Sequence, residues 1–281
     1  MLIAQLSDLH VRPRGVPAAR VVETNMLVER ALAAVAALNP RPDAVVISGD
    51  VTECGRPEEY AMAAQFFRRH LAMPVFVVPG NHDRRDNFRA GLAHMHGVTQ
   101  DPDFVQYVVD DYPVRLVMLD TLVPEAGYGL LCPKRMAFLE RALSDAPTKP
   151  TMLVFHHPPM LTGSAGMDSI WLRNTAELGA LLQKHPQVER ILTGHHHRNI
   201  VGRLGHAIVI VAPSVVHQTE LCLLPGIEDQ LVLEPPAFNL HLQLADCGIA
   251  THTVYVERFP GPYPFVVDDD YPGYPEKAAR A

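Results

Sequence analysis

Asp8 and His10, Asp50, Asn81 and His82, His156 and His157, and His195, His196 and His197 are residues of this sequence whose types could hold divalent cations. They offer carboxylate, amide and imidazole donors without a thiol, which suits Mn, Fe, Co or Zn and argues against a structural zinc site. Each stands at or near the end of a short apolar run, in LIAQLSDLH, DAVVISGD, PVFVVPGNHD, TMLVFHHPP and RILTGHHH. Taken singly they have ordinary readings, since Ser-Gly-Asp and Asn-His are turn compositions and an aspartate after a strand commonly caps a turn. Taken together they amount to more unpaired imidazoles than a scaffold needs, and a cluster of metal ions is what such a group serves.

The runs that carry these residues are Val/Ile/Leu-rich and read as strands buried on both faces. With the strands side by side, their carboxyl ends share one sheet edge, where open α/β proteins place ligands. Helical spacing follows at Val22 to Leu38, Glu58 to Leu71, Arg135 to Leu143 and Thr175 to Lys184. The second of these has acidic residues in its first turn and Arg68, Arg69 and His70 in its last, as the helix dipole favours. VRLVMLD and HAIVIVAP add two further buried strands, more than one small sheet requires. The expected fold is therefore α/β, a four-layer α/β/β/α sandwich of two mixed β-sheets flanked by helices, with a C-terminal β-hairpin extension. Phe238 to Leu244 and Ile249 to Phe259 alternate around the turn residues Asp246-Cys247-Gly248, which reads as that hairpin. Residues 1–220 form the expected catalytic domain, and 221–281 the hairpin with a Pro/Tyr/Asp-rich tail that serves as an oligomerisation or cap element.

Composition narrows the partners. A hydrophobic content of 48% and a charged content of 20% describe an ordinary globular chain. The net charge of -7 disfavours a nucleic acid polymer or an anionic membrane as partner. No apolar run approaches the ~18 residues that would span a bilayer, and the opening MLIAQLSD resembles no secretory leader. Cys54, Cys132, Cys222 and Cys247 lack C-x-x-C spacing, so a cytoplasmic location is expected.

Asp8-Leu9-His10, Gly49-Asp50, Gly80-Asn81-His82-Asp83, His156 and Gly194-His195-His196-His197 resemble, in order, the blocks of the calcineurin-like metallophosphoesterase superfamily. Within it the chain looks most like the bacterial class III phosphodiesterases of the glycerophosphodiesterase subgroup. Cys54 to Tyr60 (CGRPEEY), His156-His157-Pro158-Pro159, Met167-Asp168 and Val216-His217-Gln218 carry that finer likeness. The resemblance implies a first metal site of Asp8, His10, Asp50 and His197 and a second of Asp50, Asn81, His156 and His195, with Asp50 bridging two divalent transition-metal ions (Fe, Mn, Zn or Co). A bridging hydroxide would attack a small anionic phosphodiester in line. His82, held by Asp83, corresponds to the family's outer-sphere histidine, suited to protonate a leaving oxygen, and His217 to a second pocket histidine. Relatives of this kind form dimers and larger assemblies, so a homo-oligomer is expected.

Alternation along an extended segment lets His195 and His197 face the metals together while His196 faces away, and by the same reasoning His156 and His157 do not both bind metal; the resemblance selects His156, which leaves His157 as a hydrogen-bonded neighbour. His70 and His185 read as surface residues near helix ends. His94, His96, His206, His241 and His252 have no partner pattern, Cys54 reads as a small buried filler, and Asp168 as a substrate contact or a loop cap. Besides glycerophosphodiester hydrolysis, the same core would serve a 3',5'-cyclic-nucleotide phosphodiesterase or a phosphomonoesterase or phosphonate monoesterase. A non-catalytic binding platform is disfavoured because no ligand is missing.

Overall fold

In the computed structural model, which describes residues 1–245, 248–266, 268 and 271–272, strands and helices alternate along the chain. The first half contains β1 (Leu2–Leu6), α1 (Thr24–Ala36), β2 (Ala44–Ser48), α2 (Pro57–His70), β3 (Val75–Val78), α3 (Arg85–Gly91), β4 (Tyr107–Val109), β5 (Arg115–Met118) and α4 (Pro133–Ser144). Next come β6 (Thr151–Val154), α5 (Ala165–Asp168), α6 (Thr175–Leu182), β7 (Val188–Thr193), β8 (Ile200–Leu204) and β9 (Ala207–Val211). The short β10 (Gln218–Thr219) and β11 (Leu231–Val232) precede β12 (Ala237–Leu244) and β13 (Gly248–Tyr255).

Two mixed sheets result. The first has the order β13-β12-β1-β2-β3, with β1 to β3 parallel and the last two strands of the chain antiparallel. The second has the order β4-β5-β6-β7-β9-β8, parallel except at its two edges. Side chains on β5 and β6 show how the layers stack, because successive residues point to opposite faces. Leu116, Met118, Met152 and Val154 join the core shared with the first sheet, α1 and α2, whereas Val117 and Leu153 pack with Leu139 and Leu143 of α4 and Leu178 and Leu182 of α6. Each such buried Leu or Val contributes roughly 1.5–3 kcal/mol relative to exposure. The expected four-layer sandwich is thus formed.

Three expectations change in detail. The five runs do not lie in one sheet: β1, β2 and β3 belong to the first, β6 and β7 to the second. Their carboxyl ends therefore meet across the gap between sheets, not along one edge. The hairpin expected as an extension is the outer part of the first sheet, where β12 pairs with β1 from Leu2↔Leu242 to Gln5↔Asn239. An uncovered β1 edge would leave its ladder groups unpaired, and β12 supplies that cover within the same chain. The Asp246-Cys247 turn lies outside the described residues. His185, expected at the surface, is buried, with its Nδ1 3.4 Å from Gln187 Nε2. Among the described residues, no helix is long and apolar enough to cross a membrane.

Candidate metal centre

The loops after β1 and β2 run together, main chain on main chain, before any side chain is considered. Asp8 N donates to Gly49 O at 3.1 Å, His10 N to Asp50 O at 3.0 Å and Val11 N to Val51 O at 3.1 Å. This pairing fixes Asp50 as a neighbour of Asp8 and His10 although it is far from them in sequence. The loop after β3 joins through Asp83, whose Oδ2 accepts from Gly80 N at 3.0 Å and Val51 N at 3.1 Å. Its Oδ1 accepts from Thr52 N, Thr52 Oγ1 and the Tyr60 hydroxyl. The backbones of the Asp50 and Asn81 loops are thereby clamped to one buried carboxylate.

The CGRPEEY segment braces the same region. Pro57 opens α2 at a position that needs no N–H, and Glu59 reaches back to Arg56 N at 3.0 Å and Cys54 N at 3.1 Å. Fully buried, Glu59 also pairs with Arg12 Nη1 at 2.8 Å. Cys54, expected as a buried filler, is half-buried, and its Sγ lies 2.8 Å from the same guanidinium nitrogen.

From the second sheet, Gly194 N donates to His156 O at 3.0 Å, and His195 N reaches both carboxylate oxygens of Asp8 at 3.1 Å. His196 N closes onto Gly194 O at 2.8 Å, so the chain makes a three-residue turn with His195 at φ 72° and His197 at φ 50°. His195 and His197 do face the centre and His196 bonds outward to Thr162 Oγ1 at 3.3 Å, but by this tight turn and not by extended alternation.

The donor atoms converge. His197 Nε2 lies 3.4 Å from Asp8 Oδ1 and 3.1 Å from His10 Nε2, while His10 Nε2 lies 3.8 Å from Asp50 Oδ2. On the other side of Asp50, His156 Nε2 is 3.3 Å from Oδ2 and 3.0 Å from Asn81 Oδ1. All four imidazoles have their other nitrogen occupied: His10 Nδ1 by Glu53 Oε2 at 2.6 Å, His156 Nδ1 by Ser48 O at 2.9 Å, His197 Nδ1 by His217 O at 2.9 Å and His195 Nε2 by Ile170 O at 3.1 Å. Each acceptor holds a proton on the outer nitrogen and so leaves the inner one as the nitrogen available to a cation. Two Nε2 atoms 3.1 Å apart, each with its N–H committed elsewhere, need a proton or a cation between them. The residues present therefore fit two divalent ions, with Asp50 between the two groups.

Electrostatics agree with that fit. Burial opposes ionisation of Asp50, but His156 and His82 outweigh it and hold its pKa well below the usual carboxylate range. Burial likewise opposes charge on His156, yet Asp50 raises it to about 9, so in the metal-free chain a proton stands where a divalent ion would displace it. Burial keeps His195 well below its ordinary value, reinforced by His157 and His156, and it is neutral.

The calcineurin-like phosphoesterase family model matches residues 1–199. The chain belongs to this family. It is 34% identical over 266 residues to a protein of Arcobacter nitrofigilis named as a probable glycerophosphodiester phosphodiesterase, covering 94% of this chain and 97% of that one. Similarity to a 3',5'-cyclic adenosine monophosphate phosphodiesterase of Pseudomonas aeruginosa is 32% over 221 residues, 78% of this chain and 77% of the other. A dimetal phosphatase from Danio rerio shares the fold with a TM-score of 0.65 at 17% identity, over 92% of this chain and 99% of that structure.

The remaining site expectations divide. His82 and His217 stand beside the centre, their rings 4.7 and 5.4 Å from that of His10. The expected His82–Asp83 pair is not formed, because Asp83 is turned inward onto its five donors while His82 Nδ1 bonds to Glu53 O at 2.9 Å. His157 is the hydrogen-bonded neighbour expected, between Thr121 Oγ1 at 2.8 Å and Gly127 O at 3.2 Å. Asp168 is a loop cap that accepts from Thr162 N and Gly163 N, each at 2.8 Å. Sequence reasoning missed Glu53, whose one available sign was its place three residues after Asp50. A cavity of about 290 Å³ opens over His10, Asp50, His195, His197 and His217, and a larger one of about 760 Å³ adjoins it beyond Glu53 and His82.

Proposed function

We infer that this chain is a metal-dependent phosphoric diester hydrolase whose substrates are small phosphodiesters of the glycerophosphodiester kind. The observation that carries this reading is the set of four imidazoles, each pinned at its outer nitrogen, of which His10, His156 and His197 turn their inner nitrogens to Asp8, Asp50 and Asn81 while His195 groups with His156. The 34% identity along 94% of the chain favours the glycerophosphodiester class over others. In our proposal Asp8, His10, Asp50 and His197 hold one ion, and Asp50, Asn81, His156 and His195 the other. Two such ions supply Lewis acidity and an activated water. His82 is a leaving-group acid: its Nδ1–H is spent on Glu53 O, so the proton it delivers sits on Nε2. Although burial works against it, the charges of Asp50 and Glu53 raise the His82 pKa above its ordinary value. His217, lowered to about 2 by burial and by His197 and His10, stays neutral and orients the phosphoryl group as a hydrogen-bonding partner.

Metal-stripped protein reloaded with Mn, Co or Zn is expected to cleave bis(p-nitrophenyl) phosphate and glycerophosphoethanolamine. Asp50→Ala should abolish both metal uptake and turnover. Full metal loading without diester hydrolysis would refute the assignment. The 32% identity to a cyclic-nucleotide enzyme supports a second reading, and turnover of cyclic AMP exceeding that of glycerophosphoethanolamine would establish it instead. The free thiols Cys54, Cys132 and Cys222 support a cytoplasmic home. Exposed Phe259, Tyr263, Phe265 and Val266 beyond the hairpin support a homo-oligomer.

A further inference from the structure

The four outer acceptors differ in kind. Ser48, His217 and Ile170 present neutral main-chain carbonyls to His156, His197 and His195, whereas His10 meets the carboxylate of Glu53 at 2.6 Å. That separation belongs to the short, charge-assisted class of hydrogen bond, roughly twice as strong as a neutral one. The Glu53 side chain keeps 19% exposure, so its charge is held at the rim of the centre without full desolvation. Its main chain has a separate task, since Glu53 O accepts from His82 Nδ1 at 2.9 Å and Glu53 Oε2 lies 3.6 Å from the same nitrogen. The rings of His10 and His82 meet edge to face, with centroids 4.7 Å apart. One residue therefore grips two imidazoles of different duty, and it lines both cavities at the point where they adjoin.

We propose that Glu53 is a positioning residue for the metal centre: its carboxylate fixes His10 with the proton on Nδ1, enriches the inward Nε2, and strengthens the cation site of Asp8, His10, Asp50 and His197. The inference rests on the metal-centre reading above and adds a determinant outside the seven residues proposed to hold the ions. A carboxylate behind a ligating imidazole makes it a stronger donor, and loss of such a partner typically weakens metal affinity about 10–100-fold. A carbonyl or an amide in the same place would fix the tautomer but would not add the charge. Glu53→Gln separates the two contributions, because it keeps the shape and an acceptor oxygen while removing the charge.

The test is calorimetric titration of metal-stripped wild type, Glu53→Gln and Glu53→Ala with Mn, alongside the visible spectrum of each protein loaded with Co. Wild type should take up two Mn ions. Glu53→Gln should bind one of its two Mn ions about 10-fold more weakly, with an altered Co spectrum and an unchanged metal-free melting temperature, and Glu53→Ala should lose up to about 100-fold at the same site. Glu53→Gln with wild-type affinities and spectrum would overturn the proposal by showing that the charge is idle, even if Glu53→Ala disturbs the loop. Wild type that takes up no Mn would overturn the metal-centre reading and this proposal with it.

Discussion

Replacing Asp83 by Asn tests how the centre is assembled, because the side chain changes by a single atom type. Oδ2 accepts from two main-chain N–H groups, Val51 at 3.1 Å and Gly80 at 3.0 Å, and Oδ1 accepts from Thr52 N, Thr52 Oγ1 and Tyr60 OH at 2.9–3.1 Å. The residue is only 4% exposed, so water cannot substitute. An asparagine must place its NH₂ toward one of these sets, and the less costly orientation sets it on the Oδ1 side, where the two hydroxyls can turn to accept and only Thr52 N loses its acceptor. A buried donor left without an acceptor costs about 1–3 kcal/mol, so Asp83→Asn should destabilise the metal-free chain by about that amount. That is a measurable share of the roughly 5–15 kcal/mol typical of a folded domain. Urea unfolding at pH 7 measures it directly. Val51 follows Asp50 and Gly80 precedes Asn81, so metal affinity should fall in the same variant. A stability loss below about 1 kcal/mol with metal binding intact would refute the clamp. Were Asp83 instead the partner of His82, as sequence suggested, Asn would shift the pH profile of turnover and leave stability nearly alone.

Two further outcomes follow from sites at different distances from the centre. Burial, with the charge of Arg190 second, lowers His241 from 6.5 to about 3. Its folded pKa lies below its unfolded one, so the unfolded chain binds the proton first, and stability from this group is full above about pH 6.5 and falls as pH drops toward 3. The loss should reach about 2 kcal/mol by pH 5. His241→Gln should show a urea midpoint that falls less between pH 7 and pH 5 than the wild-type one, and equal falls would disprove the assignment. At Gly194 a Cβ would lie 1.9 Å from Ser7 Oγ and 2.6 Å from Asp8 Oδ2. Gly194→Ala should therefore displace Asp8 and cost about 100-fold in diester turnover, as an ångström of misplacement can; near-wild-type turnover would show that the loop yields.

Much of this architecture was legible because apolar runs and helical spacing are strong local patterns. The expected helices correspond to α1, α2, α4 and α6, and the five runs to β1, β2, β3, β6 and β7. What escaped is short or weakly patterned. The seven residues of α3 begin Arg-Asp-Asn with one buried side chain, and β8 holds a glycine and an arginine with no fully buried residue. Partition of the runs between two sheets is a tertiary outcome that no single run encodes. At the site, side-chain types at strand ends announced the donors. Their orienting partners were hidden because Ser48, His217 and Ile170 act through main-chain carbonyls, which every residue possesses. Asp83 was misread for the opposite reason: a carboxylate next to a histidine invites a pairing, whereas the local turn sends the two side chains apart.

Asp8, His10, Asp50, His195 and His197 all have positive φ, between 46° and 72°. Left-handed backbone disfavours side chains bearing a Cβ, at roughly 1–2 kcal/mol per residue, so the loops of the candidate metal centre are intrinsically reluctant to adopt the shape they have. Their geometry is enforced by the surrounding ladder of main-chain bonds and by Asp83. Selection for a thermally robust version of this protein would find relief by placing glycine at these positions, and each such gain would erase a donor. Ruggedness and reactivity are thus set against each other at the same few φ angles.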